Sequence, residues 1–386
     1  MVVRPGGSGL DATIATADGG AFDATVAPLA PLAPLAHDAT MPTGTGTAGT
    51  TGPMPELPKV DRDNYEMLEE YARGGLGRIV RARDRRTGRI VAIKEMLGSA
   101  DETARRFARE ALVTANLQHP AIVPVYELGR WSKSNEPFYA MKLVAGRSLQ
   151  QVIDEAPTLI DRLARLSDVV AVADALAYAH GQRVIHRDLK PANVLVGDFG
   201  ETVVIDWGLA KVIGEVDVTA ATLAPGASPA VGDRTLDGAV LGTPFYMPPE
   251  QAVGDTADER ADVYAIGAML YQLITGSPPF ADQQPRDLGA LLAMVSAGTP
   301  TAMAALEPGV PSDLATIVTK AMAPDADARY PTARELADDL RRFTNGQLVQ
   351  AHRYDRRTLL KRWLRRHRAS VTVALAFVVV LAVGSI

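Results

Sequence analysis

From Tyr65 onward the chain alternates short runs rich in β-branched residues with longer runs whose apolar side chains recur at helical spacing. The runs RIVRARD (78–84) and RIVAIKEM (89–96) flank Thr87-Gly88. Two apolar runs about such turn residues predict a β-hairpin. Helical spacing covers 102–117, 161–181, 259–276 and 332–343. Strands gathered first and helices second predict an α+β domain over 59–343. Its first lobe spans about 65–143 and its second about 144–343. No fixed-period repeat runs through it.

The pattern fails at both ends. Residues 1–58 are mostly Ala, Thr, Gly, Pro and Asp, with APLAPLAPLA at 27–36 and TGTGTAGTTG at 43–52. Such a stretch buries too little apolar surface to offset its ordering entropy, which predicts disorder. Its start lacks the unbroken apolar run of a secretory signal, so the N-terminus is expected to stay in the cytoplasm. At the other end, 369–386 carry no charged side chain. As a helix they would span about 27 Å against a hydrocarbon core of about 30 Å. Apolar side chains surround that helix rather than forming one stripe, which favours a membrane span over a buried C-terminal helix. The basic segment at 344–368 has eight Lys/Arg between 353 and 368, the side that the positive-inside rule expects to face the cytoplasm. Residues 353–386 are thus expected to contact membrane lipids, with the body cytoplasmic and the C-terminus outward. A tail anchor and an outer domain beyond Ile386 both fit that placement.

Composition narrows the chemistry. Of 386 residues none is Cys, which excludes disulfides, thiolate metal sites and a Cys nucleophile. The net charge of −5 divides into −4 over 1–58, +7 over 351–386 and −8 between them. An acidic body argues against nucleic-acid binding.

Four motifs carry candidate chemistry. Tyr71, Ala72, Arg73, Gly74, Gly75, Leu76, Gly77, Arg78 and Ile79 form a glycine-rich stretch between two predicted strands. There, backbone N–H groups can approach phosphate oxygens unobstructed. Lys94 then lies inside the apolar strand VAIK, where an ammonium is costly unless anions face it. Glu110 on the following helix can be one, and nucleotide phosphates the other. HRDLKPAN at 186–193 sets Asp188, Lys190 and Asn193 within six residues. That spacing lets Asp188 meet a substrate hydroxyl, Lys190 a phosphoryl group and Asn193 a metal ion. VVIDWG at 203–208 delivers Asp206 as a second oxygen ligand, suited to Mg²⁺, with Gly208 expected to allow a sharp backbone change.

In that order these motifs resemble those of the eukaryotic-type Ser/Thr protein kinases, in the membrane-anchored form found in bacteria. The resemblance covers about 65–343 and implies a two-lobed protein kinase fold with a small β-rich N-lobe and a larger helical C-lobe. It implies ATP and Mg²⁺ as cofactors, with Mn²⁺ an alternative ion, and protein substrates. Met141 would be the gatekeeper, with Val144 at the hinge, and Ala92 and Leu195 would sandwich the adenine. GTPFYMPPE at 242–250 resembles the end of an activation segment, Asp262 a brace for the catalytic loop and Arg329 the partner of Glu250. Ala72, Trp207 and Pro248 replace the usual Gly, Phe and Ala without removing a charge or ligand. Arg187 beside Asp188 invites an activation-segment phosphate, for which Thr219, Thr222, Ser228 and Thr235 are candidate acceptors. A homodimer on the membrane would favour phosphorylation in trans. A kinase-like binding module would lack one of Lys94, Asp188, Asn193 or Asp206, and a small-molecule kinase would lack the segment ending at Glu250.

Overall fold

The computed structural model describes residues 57–73, 77–96, 101–208, 210–212 and 243–352. The predicted tail, apart from Leu57 and Pro58, and the glycines Gly74 and Gly75 with Leu76 lie outside these residues. So do the four candidate phosphoacceptors and the predicted span at 369–386. Among the described residues no helix is long and apolar enough to cross a membrane.

The first lobe is one six-stranded sheet and one long helix. Its strands are β1 (Lys59–Val60), β2 (Tyr65–Arg73), β3 (Gly77–Asp84), β4 (Ile90–Met96), β5 (Val125–Trp131) and β6 (Pro137–Lys142), and its helix is α1 (Asp101–Asn116). They lie in the order β1-β5-β6-β4-β3-β2. Period-2 alternation in β4 gives the sheet two working faces. Val91 and Ile93 pack with Val60, Tyr65 and the stacked rings of Trp131 and Phe138. Met96, on the other face with Ala92 and Lys94, packs with Ala104, Phe107 and Ala111 of α1. The β3–β4 hairpin forms as predicted, with Ile79 opposite Lys94. The lobe begins earlier than the predicted Tyr65, because β1 pairs in parallel with β5 and Leu57 is buried. Two residues are too few to show a period.

The second lobe opens with β7 (Gly146–Ser148), α2 (Leu149–Asp154), α3 (Leu159–Leu163) and α4 (Leu166–Gly181). Short strands β8 (Val184–Ile185), β9 (Val194–Gly197), β10 (Thr202–Val204) and β11 (Lys211–Val212) follow. Then come α5 (Pro249–Ala252), α6 (Glu259–Thr275), α7 (Leu288–Ala297), α8 (Met303–Leu306), α9 (Ser312–Ala321) and α10 (Ala333–Thr344). At the centre α6 is buried all round from Ala261 to Ile274, as a helix apolar on every side must be.

Two predicted boundaries need correction. The helix expected over 161–181 is broken into α3 and α4. Thr158 and Asp161 close a capping box on α3, and Arg162 donates to the carbonyls of Leu273 and Ile274 at 3.0 and 2.9 Å. These are C-terminal carbonyls of α6, so the break serves a tertiary contact that periodicity does not register. The segment assigned to 344–368 begins inside the lobe. Val349 is buried, and the N–H groups of Gln350 and Ala351 donate to Asp339 at 2.7 and 2.9 Å.

The lobes meet where Val204 exchanges backbone bonds with the 121–123 stretch, at 2.8 Å to Ala121 and 3.2 Å from Val123. Val123, Val144 and Val203 pack there with Met141, Leu195 and Ile205.

Candidate active site

Lys94 sits on the α1 side of β4, and α1 supplies the compensating charge. Its Nζ stands 2.5 Å from Glu110 Oε1 and 3.7 Å from Asp206 Oδ1. The Tyr139 hydroxyl donates to the same Glu110 oxygen at 2.7 Å. Burial alone would pull the Lys94 pKa down, but the Glu110 and Asp206 carboxylates outweigh it and hold the ammonium above its usual range. Burial, reinforced by Glu110, pushes the Tyr139 phenol well up, so it stays a proton donor.

The loop between β8 and β9 is built around the buried Asp262 of α6. Its Oδ2 accepts from the N–H of His186 and its Oδ1 from that of Arg187, each at 2.9 Å. His180 Nε2 lies 2.8 Å from Oδ2. Burial would raise the Asp262 carboxyl, but the His180 hydrogen bond and the two neighbouring imidazoles reverse this and hold it low. Pinned this way, Arg187 adopts φ 69°, a left-handed conformation that a non-glycine residue keeps only when its surroundings impose it.

Downstream of that anchor the polar side chains converge. Asn193 Nδ2 donates to Asp188 O at 2.9 Å and Oδ2 at 3.3 Å. Lys190 Nζ lies 3.1 Å from the same Oδ2. The other Asp188 carboxylate oxygen is buried without a hydrogen-bond partner, so it is the open acceptor of the cluster. The N–H of Ile205 donates to Asn193 O at 2.9 Å. That bond ties the loop to Asp206, whose φ of 64° swings its carboxylate toward Lys94.

The sharp backbone change expected at Gly208 is therefore carried by Asp206. Gly208 takes no left-handed φ; what it supplies is room. A Cβ there would sit 3.2 Å from Glu110 Oε2 and 3.3 Å from Asp206 Oδ1. Between them Trp207 is buried against the His186 ring at 4.7 Å between centroids, and its Nε1 has no hydrogen-bond partner.

The residues expected at the adenine share one region. Ala92 lies opposite Met141 across β4 and β6, and Met141, Val144 and Leu195 belong to the apolar cluster between the lobes. The glycine-rich stretch divides. Gly77 crosses the sheet so closely that a Cβ would come 2.5 Å from Glu95 O, and Ile79 shares the face of Lys94. Arg78 is not brought to the cleft: Glu95, on the opposite face of β4, holds it at 2.8 Å. Arg73 is held by Glu70 at 2.7 Å, and Tyr71 and Ala72 are exposed. Further along the second lobe, Arg329 pairs with both Glu250 oxygens at 2.7 Å, and Gln251 Nε2 donates to Arg187 O at 3.1 Å.

Sequence reasoning did not single out Tyr139 and His180. Tyr139 could have been found, since strand alternation puts it on the face of Met141. His180 had no local signal, because its partner lies 82 residues away.

The donor set suits Mg²⁺. Asn193 spends its amide nitrogen on Asp188, leaving the amide oxygen for a cation, and Asp206 is 46% exposed. Among the described residues no three His, Asp or Glu side chains cluster tightly enough to hold a metal unaided. Mg²⁺ ordinarily takes one or two carboxylates and completes its shell with phosphate and water.

A family model described as "Protein kinase domain" matches residues 65–340. A probable serine/threonine-protein kinase of Streptomyces coelicolor is 34% identical over 292 residues, covering 74% of this chain and 41% of that protein. The serine/threonine-protein kinase PknB of Mycobacterium tuberculosis is 34% identical over 295 residues, covering 75% of this chain and 44% of its own length. PknD of Protochlamydia amoebophila, also a serine/threonine-protein kinase, is 32% identical over 305 residues, 75% and 30% of the respective chains. The chain thus spans less than half the length of these relatives.

Proposed function

The chain belongs to the protein kinase family, and on that premise we propose that it transfers the γ-phosphoryl group of ATP to Ser and Thr hydroxyls of proteins in bacterial signalling. The observation that carries this is the convergence of Lys94, Glu110 and Asp206 in one ion-pair chain, tied through Ile205 and Asn193 to the open carboxylate of Asp188. Phosphoryl transfer asks for positioning and charge neutralisation more than covalent chemistry. Lys94, steered by Glu110, orients the α- and β-phosphates. Asp188 positions the acceptor hydroxyl and takes its proton on the unpartnered oxygen. Lys190 faces the charge on the moving phosphoryl group. Asn193 and Asp206 are the residues that would hold Mg²⁺, which when bound offsets phosphate charge. The apolar cluster of Met141, Val144 and Leu195, with Ala92, receives the adenine.

Around this centre we place a disordered tail that ends before Leu57, a cytoplasmic body and a single span at 369–386 that holds it at the membrane. Composition and charge order support this: an apolar run follows the basic cluster directly. Phosphorylation at Thr219, Thr222, Ser228 or Thr235, in trans between two copies, belongs to the same reading.

Asp188→Asn is expected to lower phosphorylation of a protein substrate by at least about a hundredfold while leaving ATP affinity within about twofold, the range of a general-base contribution. Radiolabelled ATP and phosphoamino-acid analysis read the result. Retained turnover, or label on Tyr alone, would defeat the assignment.

A further inference from the structure

Tyr139 of β6 lies directly opposite Lys94 in the β4–β6 register. Strand alternation therefore puts both side chains on the face that α1 covers. The Tyr139 ring is buried and packs on Phe107 of α1, with 5.3 Å between centroids. Its hydroxyl donates to Glu110 Oε1 at 2.7 Å. Phe107 and Glu110 are three positions apart, so they share one face of the helix. A single side chain of the sheet thus holds α1 at two points, one apolar and one polar. Glu110 Oε1 also accepts from Lys94, whose Nζ stands 5.7 Å from the centroid of the Tyr139 ring. Asp206 is the second anion facing that ammonium.

A nucleotide phosphate entering the site is a third anion for Lys94. Whatever share of the ammonium it takes is lost to Glu110. A carboxylate only 8% exposed keeps its place when another donor remains to it. The Tyr139 hydroxyl is such a donor. Burial, reinforced by Glu110, pushes its pKa well above the ordinary phenol range, so it carries its proton at any working pH. We propose that Tyr139 is a positioning residue for the nucleotide: its hydroxyl keeps Glu110, and with it α1 and Lys94, in the phosphate-binding arrangement before and after the phosphates arrive. This deepens the kinase reading and rests on it for the identity of the nucleotide. The consequence is a shift of population. Without the hydroxyl a smaller fraction of molecules holds that arrangement, and the apparent affinity for nucleotide falls by that fraction. Saturating nucleotide restores the arrangement, so the loss appears in KM rather than in kcat.

The test uses the full chain and Tyr139→Phe, which keeps the ring on Phe107 and leaves Glu110 paired with Lys94. Displacement of methylanthraniloyl-ATP in the presence of Mg²⁺, followed by fluorescence, is expected to show an ATP dissociation constant at least about fivefold above wild type, as for loss of a hydrogen bond to a charged group. The KM for ATP in phosphorylation of an acceptor peptide should rise in step, with kcat within about twofold. A second pair of variants removes the acceptor. Glu110→Ala is expected to weaken ATP binding by itself, with Asp206 still facing Lys94. Adding Tyr139→Phe to it should change the affinity by less than about twofold, because the hydroxyl acts only through that carboxylate. A lower kcat at unchanged KM would place the loss in the folded fraction and overturn the proposal. So would an unchanged dissociation constant in Tyr139→Phe, or equal losses with and without Glu110. Wild type that binds ATP but labels no protein would defeat the kinase reading alone, since the shift in ATP affinity is read without transfer. Wild type that labels protein, with Tyr139→Phe binding ATP equally well, would defeat the role of Tyr139 alone.

Discussion

Lys94 shows how one side chain can be legible in sequence and still need the fold to explain it. A lysine in VAIK announces a missing anion; the structure answers with two, Glu110 and Asp206. The consequence for pH has a definite sign. The folded-state pKa is raised above the ordinary 10.5, so the pair's contribution is complete below that value and is lost only as pH rises through the higher folded one. Nucleotide affinity measured from pH 7 to about 10 should therefore show no loss traceable to Lys94. A fall in wild type that is absent in Lys94→Arg would contradict this. Asp206 and Arg187 show the reverse case. Nothing in the neighbouring residues announces the left-handed backbone at these two positions; at Arg187 the bond from its N–H to Asp262, 75 residues away, holds it.

At the scale of elements, most strands and helices follow their periodicity because the same alternation that marks them also buries them. The exceptions have tertiary causes. The α3–α4 break lets Arg162 reach the end of α6, and β1 exists only because β5 offers it an edge. The pair between Arg329 and Glu250 is likewise an inter-element bond: it fixes α5 to the segment before α10, and the Arg329 side chain is 0% exposed. Removing one member of a buried, doubly bonded pair costs about 3–5 kcal/mol. Arg329→Ala should lower the unfolding free energy from urea titration by that amount, and Arg329→Met paired with Glu250→Leu should recover much of it. Equal losses in the two variants would mean that the bare charge is not the cause.

For the molecule as a whole, the lobes are joined by backbone bonds around Val204 and by the apolar cluster of Val123, Val144 and Val203. The Lys142–Glu201 pair also bridges them, at 3.5 Å with both side chains partly exposed, and pairs so placed contribute little. The second lobe extends past the predicted boundary, because Asp339 captures the backbone of Gln350 and Ala351. A chain ending at Thr344 should accordingly be less stable than one ending at His352. Lost burial of Val349 alone accounts for about 1.5–3 kcal/mol, readable as a lower Tm in calorimetry. Equal Tm values would place that segment outside the cooperative unit.

By itself the sequence determined the α+β class, the hairpin that carries Lys94 and the short strings that hold Asp188, Asn193 and Asp206. These depend on local periodicity and on residue types whose chemistry is expensive to place idly. Only the tertiary structure decided which side chains meet. It brought Tyr139 to Glu110 and His180 to Asp262, and turned Arg78 away from the cleft. Those outcomes depend on packing between segments far apart in the chain, and no window of neighbouring residues encodes them.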